Sequence, residues 1–329
     1  MTTSVWLPVC QALILAMGVT GAAHGQPDQS QPGMVEKSIQ VGGVERWFRV
    51  FEGEMPRRPA PVVILMHGGG QGMRPVLSRS AGGTRAWLDL AKKGDFLLVV
   101  PNGTDSTTLD TKGDHQRWND VRPGVTSAND VGFMTQLIDW LARNEGIDRK
   151  RVFLTGAADG GLMVYRLLME ASDRFAAAAV FSGKLPERSP NLKEPTRPVP
   201  LLIASGTEDK LMPWAGGRVP NQPDVMRSAA DTVAWWVKAN RARPEPGPRQ
   251  TLPDADPGDG CAIHLEEYAL GKPPSAPVMF YTVEGGGHGM PSRDYVIALK
   301  PAFRKWLGRV CRDAEGAELA LQFFRRFGL

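Results

Sequence analysis

The sequence predicts an α/β fold in which a mostly parallel central sheet is flanked by helices and preceded by an antiparallel hairpin. Short, continuous apolar runs recur along the chain: VVILM (62–66), FLLVV (96–100), VFLT (152–155), AAAVF (177–181), LLIA (201–204) and VMFYTV (278–283). Uninterrupted apolarity over so few residues suits strands buried on both faces, as parallel strands are. Segments of helical period separate these runs, the alternation that covers both faces of such a sheet. Upstream, IQVGGVERWFRV (39–50) alternates apolar and polar residues around Gly42-Gly43, which supply the positive φ of a tight hairpin turn.

The chain begins with 25 residues free of Asp, Glu, Lys and Arg, with an apolar stretch around Ala12 to Val19 and the small-residue run TGAAHG before Gln26. This reads as a cleaved secretory signal peptide (1–25) ending near Gly25 or Ala23, so the protein is expected to be secreted, to the extracellular space or the periplasm. The apolar stretch falls short of the ~20 residues of a spanning helix and is broken by Pro8 and Gln11, so no stable membrane insertion is expected. A polar leader (26–37) follows, and residues 38–329 read as one domain without repeats or an internal linker.

Helices are predicted over 84–92, 131–144, 161–171 and 224–240. The second places Met134, Leu137, Ile138 and Leu141 on one face, with Asn129 as its N-cap. The last segment, ELALQFFRRF, carries Leu319, Phe323 and Phe324 at helical spacing and is expected to pack on the sheet. The proline-rich stretches 184–199 and 243–260 read as loops.

Composition excludes several functions. With 39 Lys and Arg against 35 Asp and Glu, the net charge is +4 over 329 residues, and no run of five basic residues occurs, so no nucleic-acid partner is implied. Disorder and coiled coils do not suit 42% hydrophobic content without heptads. Loss of the signal peptide removes Cys10 and leaves Cys261 and Cys311. An even pair in an exported chain suggests one disulfide, closing a loop of about 50 residues and worth roughly 4 kcal/mol. Neither cysteine has a second Cys or a His at zinc-ligand spacing, so no metal is expected. No cofactor is expected either, and the chain is read as a monomer acting on a small or oligomeric ester.

The chemistry concentrates where strands end. VVILM runs into His67-Gly68-Gly69-Gly70-Gln71-Gly72, whose glycines let backbone N–H groups approach a ligand, as an oxyanion loop requires. VFLT runs into Gly156-Ala157-Ala158-Asp159-Gly160-Gly161 and a helix, the strand, sharp turn and helix of a nucleophile elbow. The position for a nucleophile in G-x-S-x-G is Ala158, which has no hydroxyl; a frame shifted by one would centre the elbow on Asp159. LLIASGTED then presents Asp209 after a strand, and VMFYTVEGGGH presents His288 after another. Elbow, Asp and His in that order, with a Gly-rich loop upstream, is the arrangement of an α/β-hydrolase fold.

These residues resemble the secreted polyhydroxybutyrate depolymerase and feruloyl esterase-like α/β-hydrolases. The likeness covers nearly all of 38–329: the hairpin, HGGGQG, VVPNGT (99–104), Arg117-Trp118-Asn119, NDVGF (129–133), GIDRKRVFLTGAADGGLMVYRL (146–167), SGTEDKLMPWAGG (205–217) and EGGGHGMP (284–291). The family elbow, G-x-S-x-G-G-M/L-M, registers on Gly156 and Gly160-Gly161-Leu162-Met163, so the family serine falls at Ala158 and the shifted Asp159 frame loses. The resemblance implies that Asp209 is the triad acid, His288 the base, and Gly69 with the Asp159 N–H the oxyanion hole. Trp118, Asn119 and Trp214 are expected to contact substrate. Two functions follow: a carboxylic ester hydrolase of polyhydroxyalkanoate-oligomer or hydroxycinnamoyl/acetyl ester type, crippled at Ala158, or a non-catalytic pseudoenzyme binding polysaccharide or polyester ligands.

Overall fold

The computed structural model describes residues 31–51, 57–219, 223–294 and 305–329; the expected signal peptide (1–25) and the first part of the expected leader lie outside the described residues. The hairpin is β1 (Met34–Val41) and β2 (Val44–Phe51), with Val41 paired to Val44 and Gly42 and Gly43 at φ 59 and 83. β1 begins at Met34, inside the predicted polar leader, because buried Met34 pairs with Phe51 and extends the ladder. β2 lies antiparallel to β4 (Leu97–Pro101), which runs parallel to β3 (Ala60–Met66). β5 (Ile147–Ala157), β6 (Ala177–Phe181), β7 (Leu201–Gly206) and β12 (Val278–Glu284) continue the parallel sheet. β11 (Ala262–Tyr268) and β10 (Gln250–Thr251) finish it antiparallel, giving the order β1-β2-β4-β3-β5-β6-β7-β12-β11-β10. A separate ribbon pairs β8 (Gly217–Arg218) with β9 (Val225–Met226).

Each central strand feeds two cores, which explains its unbroken apolarity. From β3, Val62, Ile64 and Met66 join Val152 and Leu154 on one face, against α2 (Asp130–Asn144), α3 (Asp159–Glu170) and α4 (Ala229–Ala239). Val63, Leu65 and Phe153 face the other way, against α1 (Ala86–Ala91) and α5 (Gly316–Arg325), where Phe324 stacks 5.0 Å from Phe153. Burying one such aliphatic or aromatic side chain contributes about 1.5–3 kcal/mol. The C-terminal helix thus packs on the sheet through Leu319, Phe323 and Phe324, as its spacing predicts.

Local chemistry sets the helix starts. Asn129 caps α2 by accepting from the Gly132 N–H at 3.0 Å. α4 begins at Ala229, not 224, because Ser228 accepts from the Asp231 N–H at 2.9 Å and residues 225–226 are spent in β9. β11 and β10 extend the sheet past the apolar strands, and β10 falls within a stretch read as loop. Cys261 and Cys311 are joined in a disulfide with their Cα atoms 5.7 Å apart, tying the start of β11 to the segment before α5. No helix among the described residues is long and apolar enough to cross a membrane.

Candidate active site

β5 ends at Ala157 and α3 begins at Asp159, so Ala158 alone makes the turn, at φ 52 and ψ −125. Side chains rarely adopt that region, and holding a non-glycine residue there costs about 1–3 kcal/mol. Surrounding bonds impose it: the Ala158 N–H donates to Phe181 O and its carbonyl accepts from Leu162 N–H, each at 3.0 Å. The glycines around it are required by contact. A Cβ on Gly156 would strike the Gly160 backbone, and one on Gly160 the carbonyls of Met66 and His67 at the end of β3.

β7 and β12 are neighbours, and their ends bring Asp209 and His288 together. His288 Nδ1 donates to Asp209 at 2.9 Å to Oδ2 and 3.1 Å to Oδ1. Asp209 is buried, and its Oδ1 also accepts from the N–H groups of Leu211 and Met212 at 2.9 and 2.8 Å. Burial pushes this carboxyl up, but the charge and hydrogen bond of His288, the Lys184 ammonium and the Met212 N–H together hold it below its ordinary value. Fully buried Lys184 donates to Met212 O at 2.6 Å, and burial brings it down to about 8 against the pull of Asp209. The His288 loop is held by Ser182, whose Oγ accepts from the Gly289 N–H at 2.9 Å. With Nδ1 committed to Asp209, Nε2 is the nitrogen left to act as a base.

The glycine loop after β3 is pinned on either side of Gly69. Gly68 N–H donates to Gln71 Oε1 at 3.2 Å and Gly70 N–H to Gln116 O at 2.9 Å. Gly69 N–H has no acceptor among the described residues, and Asp159 N–H opens α3, where no intrahelical acceptor exists. The two residues touch: a Cβ on Gly69 would run into the Asp159 carboxylate. That carboxylate accepts from Arg117 Nη1 at 2.8 Å and pairs with Arg122 Nη2 at 2.9 Å, while Arg122 also pairs with buried Asp120 at 2.6 Å. Burial would raise Asp159; the charges of Arg122 and Arg117 outweigh it and keep the carboxylate ionised. Clamped by two guanidinium groups, it is a supporting group beside the elbow and not a nucleophile.

His67 anchors the same loop from below. Burial brings its imidazole down to about 4, so it is neutral, with Nε2 accepting from the Gly103 N–H at 2.9 Å and Nδ1 donating to Gly68 O at 2.8 Å.

Acetyl xylan esterase from Aspergillus awamori superposes with a TM-score of 0.51 at 13% identity, over 83% of this chain and 98% of that one. The fold is that of the α/β-hydrolases. No family model matches the chain. NocK of Nocardia uniformis subsp. tsuyamanensis, which carries an esterase name, is 29% identical over 304 residues, covering 87% of this chain and 81% of that protein. Feruloyl esterase B of Piromyces equi is 30% identical over 178 residues, and the match spans 53% of this chain but 31% of that protein.

At the C-terminal ends of the parallel strands lies a cleft of about 310 Å³. Gly69, Ala158 and His288 line it together. Trp118 does not: the expectation that it contacts substrate is corrected by its full burial, where its ring lies 4.6 Å from that of His67, tilted by 32°, and its Nε1–H donates to His67 O at 2.9 Å. Asn119 lies outside the lining too, spending its side-chain N–H on Ala128 O at 2.8 Å and its backbone N–H on Asp130. Trp214 stacks on Phe280 at 5.9 Å, beyond the cleft wall. Gln71, Leu211, Met290 and Leu307 line the cleft instead. Gln71 stood inside the glycine motif and could have been named from it; the apolar residues carry no sequence signal of their own.

Proposed function

We propose that this chain is a carboxylic ester hydrolase scaffold, secreted, whose turnover is severely impaired because Ala158 occupies the nucleophile position. The observation that carries the reading is the His288–Asp209 pair at 2.9 Å, kept in register with an elbow that ends in a methyl group. In this scaffold the base would take a hydroxyl proton and two N–H groups, from Gly69 and Asp159, would hold the oxyanion. Without the hydroxyl no acyl-enzyme forms, and turnover falls roughly 10⁴–10⁶-fold, leaving general-base attack by water. The esterase names of the relatives support an ester substrate of the hydroxycinnamoyl, acetyl or polyhydroxyalkanoate-oligomer class. The Cys261–Cys311 disulfide suits the oxidising compartment that export would reach.

Changing Ala158→Ser tests this. The variant is expected to hydrolyse p-nitrophenyl acetate or methyl ferulate at least 10³-fold faster than the parent chain. No gain in a folded variant would overturn the reading. It would leave ligand binding without turnover, the second function, which the intact cleft also suits and which titration with soluble ester oligomers would measure.

A further inference from the structure

We propose that the cleft catalyses proton abstraction from carbon beside a carbonyl, enolising small apolar ketones, and that Ala158 is what opens the site to this reaction. The inference rests on the oxyanion donors assigned in the preceding reading, but not on ester turnover.

Enolisation needs a base aimed at a C–H bond, donors for the oxygen that gains charge, and no better proton donor in between. His288 is the one titratable side chain among the described residues lining the cleft, and Asp209 holds its Nδ1 so that Nε2 is the basic atom. In an intact elbow a serine hydroxyl would occupy that nitrogen and stand between it and the ligand. The Ala158 methyl cannot hydrogen-bond, and the strained turn still carries it into the cleft wall. The N–H groups of Gly69 and Asp159 are free to hold an enolate oxygen as they would hold a tetrahedral oxyanion. A base paired with oxyanion donors in a shielded site is the general arrangement for this chemistry. Leu211, Met290, Leu307 and Pro75 give the cleft apolar walls, and about 310 Å³ accommodates a single-ring ketone.

The step balances within substrate and protein. His288 Nε2 takes the Cα proton, the C–H electron pair becomes the C=C bond, and the carbonyl π pair moves onto oxygen. Asp209 stabilises the imidazolium formed. The proton returns to carbon from that imidazolium after exchange with solvent, so the net event is isotope exchange, with no oxidant and no bond to the protein.

The test uses the full chain in deuterium oxide with phenylacetone as probe, following loss of the benzylic proton signal by NMR. Exchange is expected to saturate with ketone and to run at least ten-fold faster than with a folded His288→Ala variant. Ala158→Ser, whose hydroxyl occupies the base, is expected to slow exchange several-fold while ester hydrolysis rises. Exchange no faster than with His288→Ala, or unchanged by Ala158→Ser, would overturn the proposal. If Ala158→Ser gains no esterase activity yet the parent chain exchanges through His288, the ester reading fails and this one stands; the reverse pattern separates them the other way.

Discussion

His288 Nδ1 lies 2.9 Å from Asp209 Oδ2, and His288 shares a cleft with the methyl group of Ala158. The pair ties the chain after β7 to the chain after β12. Asp209 is buried, and its oxygens accept from His288 Nδ1 and from the N–H groups of Leu211 and Met212.

The elbow is strained without a hydroxyl to present. Ala158 sits at φ 52 and ψ −125, where glycine has no Cβ to clash. Ala158→Gly is therefore expected to stabilise the chain by about 1 kcal/mol, strain relief outweighing the entropy that glycine adds to the unfolded state. Urea denaturation checks it: the midpoint should rise at constant slope, and a fall would mean the turn is relaxed as it stands.

The disulfide closes a 50-residue separation between β11 and the chain before α5. Constraining a loop of that length stabilises the folded state by roughly 4 kcal/mol in the chain-entropy account. Reduction with dithiothreitol is expected to lower the melting temperature by about 5–10 °C. Identical melting curves with and without reductant would show that the loop is held by its other contacts alone.

The parallel core was legible because a strand buried on both faces must be apolar throughout, as Ala60–Met66 is. The edge was not: β11, AIHLEEY, is only partly buried along most of its length, so nothing in its composition separates it from a loop. The glycines of the turn at 156–161 were legible because close backbone approach restricts residue choice so tightly, and the chain order of Asp209 and His288 pointed to the candidate site. Trp118 misled because an indole in a polar segment looks exposed, and only its burial against His67 in three dimensions reveals it as a support. The clamp of Arg117 and Arg122 on Asp159 went unread for the opposite reason: the partners lie some forty residues apart, and an ion pair across that separation leaves no local pattern.

Two buried groups give opposing pH dependences. Burial brings His67 down to about 4 from 6.5, so between those values the unfolded chain binds the extra proton and stability is lost as pH falls. Burial pushes Glu315 up to about 7 from 4.5, so there the folded chain binds the extra proton and stability is gained as pH falls. From pH 6.5 to 4.5 the two slopes oppose. Glu315→Gln removes one of them, and the variant is expected to lose about 2 kcal/mol more than the parent chain over that interval. Parallel stability curves from thermal melts would sink the idea.

Lys184 makes stability rise on the alkaline side. It is charged, fully buried and down at about 8, while its value in the unfolded chain is 10.5. Below pH 8 both states hold the proton, and the folded state carries the whole penalty of burying it. Between 8 and 10.5 the unfolded chain binds more protons, so stability rises with pH through that window. Lys184→Met removes the titration along with the hydrogen bond to Met212 O. The variant is expected to be about 2 kcal/mol more stable than the parent chain at pH 7, with the difference shrinking as pH approaches 10.5. Asp209 is also expected to titrate higher without the neighbouring ammonium, so in an Ala158→Ser background the acid limb of ester hydrolysis should move to higher pH. A stability gap that stays constant from pH 7 to 10.5 would mean that Lys184 keeps its proton throughout, and that Asp209 stabilises its charge more strongly than burial opposes it.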